Sequence, residues 1–190
     1  MKTVFDPEKK LYTLSLLVQD IPGVLSQVAR LFSRKGYNIE SIVSGETDKP
    51  DITRITITIE ADQLMIEQIA AQCSKLLPVV TVRILDEETS IRREVALIKV
   101  GVSDRTTRDE IIQLANIFRA TIIDVSTKTL TLAIIGQESK DDALEKLLAE
   151  FGILELVRTG MVALERGDAT ISNNDDNKET GEFDLGKNIL

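Results

Sequence analysis

The chain of 190 residues contains no histidine. It therefore lacks the commonest general base and the commonest transition-metal ligand. Its single cysteine, Cys73, excludes a disulfide framework. Cys73 falls among apolar side chains at helical spacing, and a catalytic thiolate would need a partner base, so it reads as a core residue. No apolar run approaches the ~20 residues of a membrane-spanning helix. The opening Met-Lys-Thr-Val-Phe-Asp-Pro-Glu-Lys-Lys has no apolar signal region, and the expected location is the cytoplasm. No basic patch stands out against a net charge of −8, so nucleic acid is not an expected partner. There is no Gly-rich phosphate loop and no paired-acid motif, which leaves an enzyme little to work with.

What is present is a core-forming composition, 43% hydrophobic, and a repeated pattern. Residues 11–19 alternate with both faces fairly apolar, as in a central strand. Val24, Leu25, Val28, Ala29, Leu31 and Phe32 then line one face of a helix that Pro22-Gly23 opens and Gly36 closes. Tyr37–Gly45 reads as a strand, and Glu46-Thr-Asp-Lys-Pro50 as a turn. Ile52–Glu60 reads as a half-buried strand of alternating Ile and Thr. A helix is expected from about Ala61 to Leu77, ended by Pro78, and a strand over Val79–Leu85. The order β-α-β-β-α-β is the ferredoxin-like unit.

The order then recurs. A strand is expected over Glu94–Val102, and a helix over Thr107–Phe118 with a Thr107–Glu110 capping box. A hairpin over 121–136 follows, then a helix over Asp141–Phe151 with Ser139 as cap, and a strand over Ile153–Thr159. The expected fold class is α+β, with two ferredoxin-like βαββαβ domains at 10–86 and 93–166. Residues 168–190 carry six acids and two bases with few apolar side chains, and are expected to form a disordered acidic tail.

One stretch of the first copy carries chemistry. Asp20 precedes Pro22-Gly23, and Asn38 follows the helix. Each alone has a plain reading, as a helix cap, a helix start and a turn residue. Together they suit a free amino acid. Asp20 would hold the ammonium, the bare amides of the helix start would hold the carboxylate, and Asn38 would bond to either end. The second copy has Val-Ser-Asp-Arg-Thr-Thr at this point and is expected to share the fold without the site. Arg93-Glu94, Lys9-Lys10 and Arg34-Lys35 read as solvated charges.

Asp-x-Pro-Gly-Val-Leu after a first strand resembles the ACT domain of amino-acid-responsive regulators. Leu31-Phe-Ser-Arg-Lys-Gly-Tyr-Asn-Ile-Glu-Ser41, Asp51-Ile-Thr-Arg-Ile-Thr-Ile and Arg93-Glu-Val-Ala-Leu-Ile-Lys-Val100 are similar to the small regulatory subunit of acetolactate synthase (acetohydroxyacid synthase), over about residues 10–166. The resemblance implies a non-catalytic chain without a cofactor of its own. Its catalytic partner would carry thiamine diphosphate, Mg²⁺ and FAD. The chain would activate that subunit in branched-chain amino acid biosynthesis and confer feedback inhibition by valine, in some members of the family with leucine or isoleucine. It also implies a homodimer through side-by-side ACT domains, and contact with the catalytic subunit through the second domain, near whose start Arg93-Glu94 lies. Asp20, Gly23, Val24 and Leu25 of one protomer would face Asn38 and Ile39 of the other across the effector, and Ile21, Val24, Leu25 and Ile39 could enclose its side chain. A stand-alone ACT sensor acting on a different enzyme is the alternative.

Overall fold

The computed structural model describes residues 9–172. The first compact unit runs to Arg92 and resumes at Met161, and the second is Arg93–Gly160. In the first, β1 (Lys10–Gln19), α1 (Val24–Lys35), β2 (Ser41–Glu46), β3 (Ile52–Ala61), α2 (Gln63–Cys73) and β4 (Val79–Leu85) follow the expected order. Their sheet is ordered β2-β3-β1-β4, with every neighbour antiparallel. Alternation sends Leu14, Leu16 and Val18 of β1 and Ile55, Ile57 and Ile59 of β3 to the helices. Val28 and Phe32 of α1 and Ile66, Ile69 and Cys73 of α2 meet them there. Gly36, at φ 71°, ends α1 in the left-handed region, where Gly carries no Cβ penalty.

Several boundaries differ from the sequence reading. Residues 37–40 form an irregular link and not a strand: the Tyr37 amide donates to Phe32 O, the two rings meet edge to face at 6.2 Å, and the Glu40 amide donates to Thr58 O. α2 stops at Cys73 instead of Leu77, because the chain closes on itself in turns, with the Leu76 amide on Cys73 O. Its cap is Asp62, whose Oδ1 accepts from the Met65 amide at 2.7 Å. The Thr row of β3 is buried, not half-exposed. Thr56 and Thr58 stand beside Ser15 and Thr13 in register, forming a buried hydroxyl face opposite the helices.

That face also carries Arg83, paired in register with Ser15. Arg83 donates to Glu165 at 3.3 Å and to Thr170 O at 3.0 Å. Glu165 ends β9 (Val162–Glu165), a strand absent from the sequence reading, which pairs with β5 (Ser90–Gly101). Ile171 is buried. At the start of the expected tail, Thr170 and Ile171 are therefore anchored, the first by its carbonyl on Arg83 and the second by its buried side chain, while Asp168, Ala169 and Ser172 stay exposed. Residues 173–190 of that expectation lie outside the described residues.

In the second unit β5 is followed by α3 (Arg105–Phe118), β6 (Thr121–Val125), β7 (Thr129–Gly136), α4 (Glu138–Leu148), a 3-10 turn (Ala149–Phe151) and β8 (Ile153–Arg158). The order β6-β7-β5-β8 repeats that of the first sheet. Ala96, Ile98 and Val100 pack with Ile111, Leu132, Ile134, Leu144 and Leu148. β5 starts at Ser90, not Glu94, because Asp86 Oδ1 accepts the Glu88 amide and tightens the connection into a turn. The capping box at Thr107–Glu110 does not form. α3 starts two residues earlier, and Asp104 Oδ1 takes the Thr107 amide at 2.8 Å. Ser139 lies inside α4, whose N-terminal cap is Gln137.

Candidate functional site

β1 ends among the loops at one end of the first sheet. The Gln19 amide donates to Pro78 O, and the Asp20 amide to Asp51 O, each at 2.8 Å. Asp51 sits in the left-handed region at φ 62°, a conformation that Asp tolerates better than most residues. Thr47 Oγ1 fixes the turn before it by donating to Ile52 O at 2.9 Å. Asp51 was not among the expected site residues. A Pro-Asp pair at the end of a turn cluster is the signal that could have found it.

The turn from β1 into α1 matches the sequence reading. Gly23 is the N-terminal cap at φ 87°, with no side-chain cap bond, and the first turn contains no acid. The Val24 amide donates to Ile21 O and the Gln27 amide to Gly23 O. Among the described residues no backbone carbonyl takes the Leu25 and Ser26 amides. An added Cβ at Gly23 would meet nothing within 4 Å, so the turn itself is open on that side. Asp20 is exposed, and Ile21 and Leu25 keep 45% and 42% of their surface. The result is a partial positive end of a helix, a nearby carboxylate and an exposed aliphatic rim. Val24 departs from expectation. Its side chain is buried in the core, which leaves only its backbone to meet a ligand.

Asn38 and Ile39 are elsewhere in the same chain. β1 and β2 both run antiparallel to β3, so they are parallel to each other, and α1 carries the chain back along the sheet between them. Gln19 pairs with Ile52, and Ser41 with Thr58. Six residues of β3 at ~3.3 Å each put the end of β1 about 20 Å from the start of β2. Within one chain Asn38 and Asp20 therefore stand at opposite ends of the sheet, as the β-α-β crossover requires. Asn38 Nδ2 donates to Glu40 Oε1 at 2.6 Å, and Ile39 packs against the core.

Burial pushes the Cys73 thiol up to about 12, in keeping with a core side chain and not a nucleophile. Among the described residues no group of three or more Cys, Asp or Glu is placed to hold a metal ion. No described helix is long and apolar enough to cross a membrane.

Two family models match the chain. One, described as an AHAS small subunit-like ACT domain, covers residues 14–81, and the other, described as the small subunit of acetolactate synthase, covers 93–167. The chain belongs to the acetolactate synthase small-subunit family. It is 44% identical over 168 residues to a probable acetolactate synthase small subunit of Methanothermobacter thermautotrophicus, covering 88% of this chain and all of that one. It is 47% identical over 158 residues to the acetolactate synthase small subunit of Mycobacterium bovis, covering 83% and 94%. The crystal structure of the small subunit from Thermotoga maritima superposes with a TM-score of 0.79 at 41% identity, over 84% of this chain and 99% of that one. The first unit of this small-subunit family member is thus an ACT domain, and the uncapped α1 N-terminus is its candidate ligand site.

Proposed function

We propose that the chain is the regulatory subunit of an acetolactate synthase, in branched-chain amino acid biosynthesis. It raises the activity of a catalytic subunit and makes that subunit sensitive to valine. The catalytic subunit is the one that carries thiamine diphosphate, Mg²⁺ and FAD, and this chain does no chemistry itself. The observation that carries the reading is the open α1 N-terminus beside Asp20, rimmed by exposed Ile21 and Leu25, in a chain matched along both halves to small subunits.

The separation of Asp20 from Asn38 supports a site completed by a second copy. β2 is an edge strand with its outer side unpaired in the sheet. Twofold pairing of β2 with β2 is antiparallel, as a self-complementary interface requires. It sets the start of one β2 beside the end of the other. Asn38 and Ile39 of one protomer then approach Asp20, Ile21, Gly23 and Leu25 of its partner. Asp20 takes the ammonium by a charge-assisted bond, the helix amides take the carboxylate, and Ile21, Leu25 and Ile39 enclose the aliphatic side chain. Valine acts by binding one arrangement of the paired ACT domains better than another, so the catalytic subunit and valine each change the other's affinity.

Calorimetric titration of valine into the full chain, against leucine, isoleucine and serine, tests the site. Binding at millimolar concentration or tighter is expected. Asp20→Ala should weaken it about 10- to 100-fold, the equivalent of ~1.5–3 kcal/mol, and leave activation of the catalytic subunit intact. Loss of activation together with valine response in that variant would refute the division of labour between the two units.

A further inference from the structure

The second unit contains a buried acidic cluster that the effector reading does not use. Glu94, read from sequence as solvated, lies in β5 and is 5% exposed; Asp141, in the first turns of α4, is 0% exposed. Asp142 and Glu145 follow on α4, and Arg158 ends β8. Arg158 donates to Glu94 Oε1 at 3.2 Å, Asp142 Oδ1 at 2.6 Å and Glu145 Oε2 at 2.8 Å. None of these bonds reaches Asp141, whose two carboxyl oxygens are buried without a donor. β7 contributes Gly136, where a Cβ would stand 2.5 Å from Asp141 Oδ1. α3 turns apolar Ile111 and Ala115 to the interior. Four carboxylates, Glu94, Asp141, Asp142 and Glu145, thus stand around one guanidinium, with Lys140 of α4 the other cation acting on Asp141.

A buried carboxylate with no donor is a costly arrangement, and Glu94, opposite Gly136 in the β5–β7 register, brings a second one close to Asp141. A proton between Asp141 and Glu94 turns the contact into a hydrogen bond and removes one charge. The electrostatics point the same way. Burial pushes the Glu94 carboxyl up against the pull of Arg158, and burial pushes the Asp141 carboxyl up against the pull of Arg158 and Lys140. Burial opposes the charge on Arg158, but its bonds to Asp142 and Glu145 outweigh that and keep it protonated.

We propose that Glu94 and Asp141 hold one proton between them at neutral pH, and that this proton fastens the first turns of α4 to β5, so that the second unit loosens as the pH rises. The proton belongs to the pair and not to either residue. In the unfolded chain both groups ionise near pH 4, so folding takes up a proton at neutral pH. Because the folded pair titrates above its unfolded value, its stabilisation is fully present below ~4 and is lost as pH rises toward the folded value. The absence of histidine leaves pH 5–8 free of the side chain that ordinarily titrates there.

Denaturant unfolding of the full chain by circular dichroism, from pH 5.5 to 8.5, tests the proposal. In the wild type the unfolding constant should rise about tenfold per pH unit while the pair keeps its proton. In Asp141→Asn the amide donates the bond without a proton, and that dependence should fall below about twofold per unit. Glu94→Gln should flatten it from the other side. Equal pH dependence in wild type and Asp141→Asn overturns the proposal, and Glu94→Gln is judged alike if Asp141→Asn does not fold. Carboxyl carbon NMR of the wild type decides if neither folds. A signal from either residue still protonated at pH 7 supports the shared proton, and both ionised at pH 6 overturns it.

Discussion

Gly23→Ala separates backbone strain from packing at the turn before α1. Gly23 adopts φ 87° and ψ −1°, and an added Cβ meets nothing within 4 Å. No clash therefore contributes, and the whole cost is that of an L-residue in the left-handed region, about 1–2 kcal/mol. The stiffer unfolded chain returns about 0.4–1 kcal/mol. The net loss is about 1 kcal/mol, or a melting temperature lower by ~4–8 °C for a unit of about 100 residues. Gly45→Ala is the control. Its Cβ also meets nothing within 4 Å, but its backbone is that of an ordinary strand residue. That variant should melt at or above the wild type, since Gly in a strand costs about 0.5–1 kcal/mol relative to Ala. Thermal denaturation of the three proteins under one buffer condition measures both shifts. A Gly23→Ala protein as stable as wild type, or a Gly45→Ala protein losing as much, would refute the strain argument.

Asp62→Ala removes the acceptor of the Met65 amide and should cost about 0.5–2 kcal/mol in denaturant unfolding. Gly136→Ala drives a methyl group to 2.5 Å from Asp141 Oδ1 and should lose about 1–3 kcal/mol in the same measurement. Arg83→Met removes the bonded cation from a half-buried Glu165 carboxylate that Arg54 still attracts, should cost about 1.5–3 kcal/mol, and should expose residues 166–172 to limited proteolysis. The Asp104 carboxyl is held below its usual range by the Thr107 amide. Its stabilisation of α3 should therefore be present at neutral pH and fade as pH falls through the folded value, a fade absent in Asp104→Asn. Cys73, buried and pushed up to about 12, should resist thiol reagents at pH 8 until denaturant is added.

The order of elements was readable because alternation and helical spacing are local, and both copies of the βαββαβ pattern formed as expected. Gly23 and Gly36 stood out because their left-handed backbones suit few other residues. Capping at α3 was misread because Asp104 and Thr107 both fit a cap and only tertiary context chooses. Glu94 looked solvated because sequence spacing says nothing about Arg158, 64 residues away. Thr56 and Thr58 looked half-exposed for the same reason: what lies over a sheet face comes from elsewhere in the chain. Of the candidate site, Asp20 and the helix start were legible as one loop. The distance to Asn38 was not, because it follows from strand direction and not from spacing.

The return of the chain to the first unit fixes an order of manufacture. Strands β1 to β4 leave the ribosome early, but Arg83 meets Glu165 only 82 residues later. At ~5–20 residues per second that interval lasts roughly 4–16 s. All of the second unit is synthesised within it. The four-stranded sheet of the first unit is thus complete by Leu85, but a chain cut short anywhere in residues 93–160 never receives Glu165 and Thr170, the groups that Arg83 bonds on the hydroxyl face.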